Sequence, residues 1–179
     1  MNLKEYKNWL ERNSNREEKE GFKVVQEIVK YHSLSKEWKY IQVFPRTKYK
    51  GVEFDLLILL SDETKKLKDD FWGKLIGVEF KETDVKKVVK QAVQRREYVS
   101  YQYIATKDVY LDYPEIFLLC LFGIGWIVWG DGFAKMIIPS KIKFTYDKIE
   151  TLVNYLIDKK LSDIIDKMIN RKITDFLRG

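Results

Sequence analysis

The chain has 179 residues, enough for one domain with a full hydrophobic core. Apolar content of 45% and aromatic content of 15% exclude a disordered chain. Net charge is +6, and one cysteine with one histidine excludes a zinc finger, an iron–sulfur cluster or a multi-histidine site made within one chain.

Leu3, Tyr6, Trp9 and Leu10 predict a short amphipathic helix ending at Asn13-Ser14-Asn15. Ser14 and Glu17 have the spacing of a capping box for a second helix. Phe22, Val25, Ile28 and Val29 give that helix an apolar stripe as far as His32, expected as a helix-end residue. Residues 39–44 alternate and read as a strand, and Pro45 to Gly51 as a basic turn. Strands follow at 52–60 and 75–81, joined by a polar stretch that contains Lys65, Lys66 and Lys68. Thr83 or Asp84 caps a long helix running to about Ser100. A short strand follows at 101–106, then a helix opened by Pro114 and ended by Gly123 or Gly125. Asp131-Gly132 marks a hairpin between 126–129 and 133–138, packed by Trp126 and Trp129. Cys120 reads as a small buried apolar residue. Apolar positions from Ile149 to Leu177 repeat at helical spacing and read as C-terminal helices, which either cap the sheet or pair two copies in a homodimer.

This order implies an α/β fold, a central mixed β-sheet flanked by helices. One domain spans residues 1–179: an N-terminal helix to 13, a core over 14–106, a helix and hairpin over 107–140, and C-terminal helices over 141–179. Met1 to Arg16 is charged throughout, unlike a signal peptide. The most hydrophobic stretch, 116–129, is shorter than the roughly 20 residues that span a bilayer. The expectation is a soluble, cytoplasmic protein with no membrane partner.

Two strings carry the chemistry. Val52-Glu53-Phe54-Asp55 opens one apolar run, and Glu79-Phe80-Lys81 closes the other. Ionised carboxylates in buried strands are costly unless a cation compensates them. Glu79 and Lys81 share one face of their strand, as Glu53 and Asp55 share one of theirs. Carboxylates converging beside a lysine suit a hard divalent cation held by oxygen ligands. Residues 51–80 carry a net charge of −3, between segments of +5 and +4. Cations that attract phosphates around a metal-recruiting acidic cluster give that pattern, and so does a plain lysine-rich surface.

These residues resemble the PD-(D/E)XK phosphodiesterases, the restriction-endonuclease-like superfamily, closest in pattern to its RecB-type and Holliday-junction-resolvase-like members. Asp55 matches the lone aspartate and Glu79-Phe80-Lys81 the (D/E)-x-K triplet. Gln94 and Tyr98 fit the Q-x-x-x-Y signature of the RecB-type branch. Phe54 stands where the family has proline, and the four cysteines of the branch's iron–sulfur members are absent. The likeness covers about half of the chain. It implies a restriction-endonuclease-like core and a nuclease that cleaves DNA with Mg²⁺ or Mn²⁺. It further implies metal ligation by Asp55, Glu79 and the Phe80 carbonyl, with Lys81 beside the attacking water. An acid from the preceding helix completes such sites: Glu20 is the choice here, with Glu27 as the alternative. Glu53 is either a further ligand or a partner of Arg46 or Lys48. Lys87, Gln91, Gln94 and Tyr98 share one helix face suited to a sugar–phosphate backbone, or to solvent alone. The rival reading is a catalytically inactive module of the same fold that binds DNA or protein.

Overall fold

A computed structural model describes residues 1–62, 73–107, 110–143 and 146–178. Lys65, Lys66 and Lys68 lie outside the described residues. Six strands form one sheet in sequence order: β1 (Tyr40–Tyr49), β2 (Val52–Ser61), β3 (Gly73–Lys81), β4 (Tyr101–Thr106), β5 (Gly125–Gly130) and β6 (Phe133–Ile138). The β1–β2–β3 meander is antiparallel, β3–β4–β5 is parallel, and β6 returns antiparallel. The expected mixed sheet flanked by helices is present.

Helices α1 (Leu3–Asn13) and α2 (Gly21–His32) cover one face. Tyr6, Leu10, Val24, Val25 and Ile28 meet Leu56, Ile58, Ile76, Val78 and Phe80 there. On the other face α3 (Val85–Arg95) and α4 (Tyr113–Phe122) pack over β4 and β5 through Val88, Ala92, Leu119 and Ile104. Residues 56–61 of β2 and 75–80 of β3 are all buried, so both faces are dry there, and the sequence shows this as unbroken apolar runs rather than alternation.

Several boundaries differ from the periodicity. The expected basic turn at 45–51 is mostly strand, because β1 is an edge strand and tolerates Pro45 without its N–H. The reversal is confined to Lys50-Gly51, with φ of 48° and 77°, the left-handed pair of a tight hairpin. Ser14 closes α1 rather than opening α2. The reciprocal bonds instead join Asn15 and Glu18, whose N–H groups donate to Glu18 Oε2 at 3.4 Å and Asn15 Oδ1 at 3.0 Å. Helix α3 stops at Arg95, and residues 96–98 tighten into a 3-10 turn. The expected C-terminal helices are one continuous helix, α5 (Tyr146–Arg178), whose first turns seat Ile149, Leu152, Val153 and Leu156 on the sheet. Beyond them Leu161, Ile164 and Ile165 face water, and the side chains from Met168 onward lie outside the described residues. Cys120, expected in the core, is exposed on α4. Trp126 and Trp129 are buried in the hairpin as expected. Among the described residues, no helix is long and apolar enough to cross a membrane.

Candidate metal centre

Strand register brings the two acidic strings together. Leu56 pairs with Val78, so Asp55 on β2 stands opposite Glu79 on β3. Pro45 and Thr47 pair with Leu56 and Phe54, so Arg46 on β1 stands opposite Asp55. The three residues form one row across the sheet. Arg46 holds φ of 46°, a left-handed conformation that costs a non-glycine residue on the order of 1 kcal/mol. Its guanidinium is fixed on Glu18, with Nε at 3.1 Å from Oε1 and Nη2 at 2.6 Å from Oε2. Nη2 also donates to the Asn13 carbonyl at 2.8 Å, and Trp9 lies 5.2 Å beneath it.

Glu79 is fully buried, and neither of its carboxylate oxygens has a well-aligned hydrogen-bond donor, with the Asp55 backbone N–H and carboxyl among its polar neighbours. Arg95 Nε lies 3.1 Å from Glu79 Oε1, but that nitrogen donates to the Glu53 carbonyl at 2.6 Å. The Arg95–Glu79 contact is therefore an ion pair only. Burial, and next the neighbouring Asp55 charge, push the Glu79 carboxyl well above the usual carboxylate range, against the pull of Arg95. Burial also raises Asp55, opposed by the Phe80 N–H, which donates to Oδ2 at 2.9 Å, and by Arg95 and Lys81. Lys81 ends β3 with its side chain only 15% exposed, and Nζ donates to Glu17 Oε2 at 2.6 Å. Two adjacent buried carboxyls hold a proton more tightly than isolated ones, and Arg95 and the Lys81 ammonium offset part of their charge.

Asp55, Glu79 and Lys81 thus lie together as the spacing implied. The other candidates are dispersed. Glu20 is the N-cap residue of α2, half-buried and without a capping bond. Glu27 accepts from Met136 N–H at 3.3 Å, on the β6 side. The acids that this segment brings against the row are Glu17 and Glu18, because the chain turns at Asn15–Glu18 and the helix starts only at Gly21. Glu53 points its carboxylate to Lys48 at 3.7 Å, half-exposed, and gives only its carbonyl to Arg95. On α3, Lys87 and Gln94 are exposed and Gln91 is half-buried, with its Oε1 sealed and unpaired. Tyr98 leaves that row: its ring meets Phe54 and Tyr49 edge-on at 6.1 and 6.2 Å. Arg95 is the residue that sequence reasoning missed. Its signal was present, since it continues the buried series Val88 and Ala92 by three, and an arginine on such a stripe requires a buried acid.

Among the described residues, no group of three or more His, Cys, Asp or Glu is arranged to hold a metal. The fit to a divalent cation rests on the pair Asp55 and Glu79, with Glu79's two unpaired buried oxygens. A pair of carboxylates suits Mg²⁺, which keeps several waters and takes one or two protein carboxylates plus phosphate oxygens.

No protein-family model matches the chain, and no curated protein does. Among solved structures, the chain is similar to the SPO1766 protein of unknown function from Silicibacter pomeroyi. The likeness covers 85% of this chain and 92% of that one, with a TM-score of 0.51 and 8% identity. At that identity it shows a shared fold alone.

Proposed function

We propose that the chain is a metal-dependent deoxyribonuclease with a restriction-endonuclease-like core, acting in the cytoplasm. One observation carries the reading: Asp55 and Glu79 are cross-strand neighbours, Glu79 keeps two buried oxygens without hydrogen bonds, and the Lys81 ammonium ends the same strand. Asp55 and Glu79 would hold Mg²⁺ or Mn²⁺, with the Phe80 carbonyl as a further ligand. When bound, such a cation neutralises charge developing on a scissile phosphate and acidifies a neighbouring water.

The chain's own groups do the rest. The Phe80 N–H donates to Asp55 Oδ2 and fixes that carboxylate. The Lys81 ammonium orients the attacking water and stabilises negative charge as its proton leaves. Glu17 holds that ammonium in place. Lys87 and Gln94 offer a charge and an amide to the backbone of the nucleic acid.

One contact favours the inactive-module reading. Arg95 already stands beside Glu79 as a fixed internal cation. If Arg95 is the only cation this site takes, the cluster is a buried ion-pair network that serves the fold. The test is a cleavage assay on labelled single-stranded, duplex, flap and four-way-junction DNA, with Mg²⁺, Mn²⁺ or EDTA, beside Lys81→Ala. Cutting that needs metal and disappears in the variant supports the enzyme. No cutting, together with no heat of Mn²⁺ binding by calorimetry, sinks it.

A further inference from the structure

Helix α4 has apolar residues on nearly every side, a composition normally found on a buried helix. Yet only Glu115 and Leu119 are buried. Tyr113, Phe117 and Leu121 are 89%, 62% and 62% exposed, and their spacing of four makes one ridge along the helix. Ile116, Leu118 and Phe122 flank it, each more than a third exposed. With aromatic side chains of about 150–250 Å² and aliphatic ones somewhat smaller, these six leave on the order of 600 Å² of apolar surface in water. That is at the upper end of the roughly 300–600 Å² patch of an ordinary monomer. Tyr110, 82% exposed before the helix, and Ile142, 47% exposed beside its end, extend it towards the roughly 800 Å² per partner of a standard interface.

Charge selects the occupant. Residues 108–131 contain no Lys or Arg, and exposed Lys86 and Lys141 flank the two ends of the patch, short of the cluster of about 4–8 cations that an anionic lipid surface calls for. Exposed Asp112 stands at the N-terminus of α4. At its C-terminus the Gly123 carbonyl accepts from the Lys141 N–H at 3.0 Å, which sets exposed Lys141 beside that end. Two α4 helices laid antiparallel across a two-fold axis bring Tyr113 against Leu121 of the second copy and Phe117 against its own counterpart. The same arrangement sets Asp112 against Lys141 of the second copy, twice over. The patch is self-complementary in its ridge, its charges and its helix dipole.

We infer that the chain forms a two-fold dimer through α4, with the Tyr113–Phe117–Leu121 ridge at its centre and reciprocal Asp112–Lys141 pairs at its rim. The dimer does not depend on the nuclease reading, because none of these residues touches the Asp55–Glu79 row.

Sedimentation equilibrium of the full chain at micromolar concentration tests it. Wild type sediments at the mass of two chains. Phe117→Asp sediments as one chain with an unchanged circular dichroism spectrum, since Phe117 faces solvent within a single copy. Asp112→Lys weakens association about tenfold at low salt, and adding Lys141→Asp restores it. Phe117→Cys in a Cys120→Ser background forms an interchain disulfide on mild oxidation. A wild type that stays monomeric overturns the proposal, as does a charge swap without rescue. Dissociation by Leu161→Asp but not by Phe117→Asp would place the interface on α5 and equally end it. Should Phe117→Asp fail to fold, the charge swap decides alone.

Discussion

Two buried polar clusters on the sheet, one towards each end of β3, are built differently. At the Lys74 end, His32, Tyr103, Lys74 and Trp38 all have partners. His32 Nε2 and the Tyr103 hydroxyl are 2.9 Å apart, Lys74 Nζ lies 3.4 Å from His32 Nδ1 and donates to the His32 carbonyl at 3.3 Å, and Trp38 Nε1 donates to that carbonyl at 3.0 Å. The Trp38 and Tyr101 rings sit under the same ammonium. At the Glu79 end, two carboxyls face each other with two buried oxygens unsatisfied. A satisfied cluster rigidifies a fold, whereas an unsatisfied one stores a demand for a ligand or a proton. The first reads as architecture, and under the proposed function the second is the site.

The largest expected effect separates the two most sharply. Glu79→Gln and Lys81→Ala lose DNA cleavage by about 100-fold or more, the scale of removing a group that stabilises transition-state charge. His32→Gln leaves the cleavage rate within about threefold under conditions where it stays folded, since it touches only the architectural cluster. Equal losses in all three, in single-turnover assays on folded protein, would dissolve the distinction.

Stability gives the next contrast. Arg95→Met removes the cation paired with a fully buried carboxylate, and should cost about 3–5 kcal/mol at neutral pH in urea titration. A loss below about 1 kcal/mol would mean that Glu79 is already protonated there.

The pH dependences carry opposite signs. Burial, with a smaller push from Lys74, draws His32 down to about 3 from its ordinary 6.5. The folded state therefore binds fewer protons than the unfolded one, and this contribution is fully present above 6.5 and is lost as pH falls from there towards 3. Glu79 is raised above its ordinary 4.5, so its contribution is present below 4.5 and is lost as pH rises through the raised value. In metal-free protein, thermal melts of His32→Gln should lose the acid-side fall, and those of Glu79→Gln the decline with rising pH. Added Mn²⁺ should flatten the Glu79 slope in wild type, because the cation competes with the proton for the same oxygens. A slope indifferent to Mn²⁺ counts against metal binding.

The smallest effect concerns the outer face of α3. Lys87→Ala should weaken DNA binding only severalfold and reduce the magnitude of the salt slope by about one, as one phosphate contact would. Fluorescence anisotropy over a salt series measures it, and an unchanged slope would return Lys87 to the solvated surface.

Much of this frame was legible from local pattern alone. The strands at 52–60, 75–81 and 101–106, the Asp131-Gly132 hairpin and the Pro-to-Gly helix around Leu119 all follow from period, apolar runs and turn chemistry within a few residues of each position. So did the Asp55, Glu79 and Lys81 set, because carboxylates at the ends of dry strands are conspicuous in sequence. The helix N-terminus after Asn13 was not legible. Ser14–Glu17 and Asn15–Glu18 are overlapping boxes of the same spacing, and the bonds from Arg46 to Glu18 and from Lys81 to Glu17 accompany the second. Nor was α4 legible as a surface, since an apolar run reads as core unless the packing beyond it is known.

The sequence by itself determined where most of the strands lie and which acids end two of them, because those depend on near-neighbour sterics and on the cost of burying charge; the second half of β1 was not among them. Only the tertiary structure decided what surrounds those acids. Strand register set Arg46 and Glu79 on either side of Asp55, helix packing brought Arg95 down from α3, and the turn at Asn15 delivered Glu17 and Glu18. The physical reason is distance along the chain: Glu17 and Lys81 are 64 residues apart, and no local pattern constrains a contact that only folding creates.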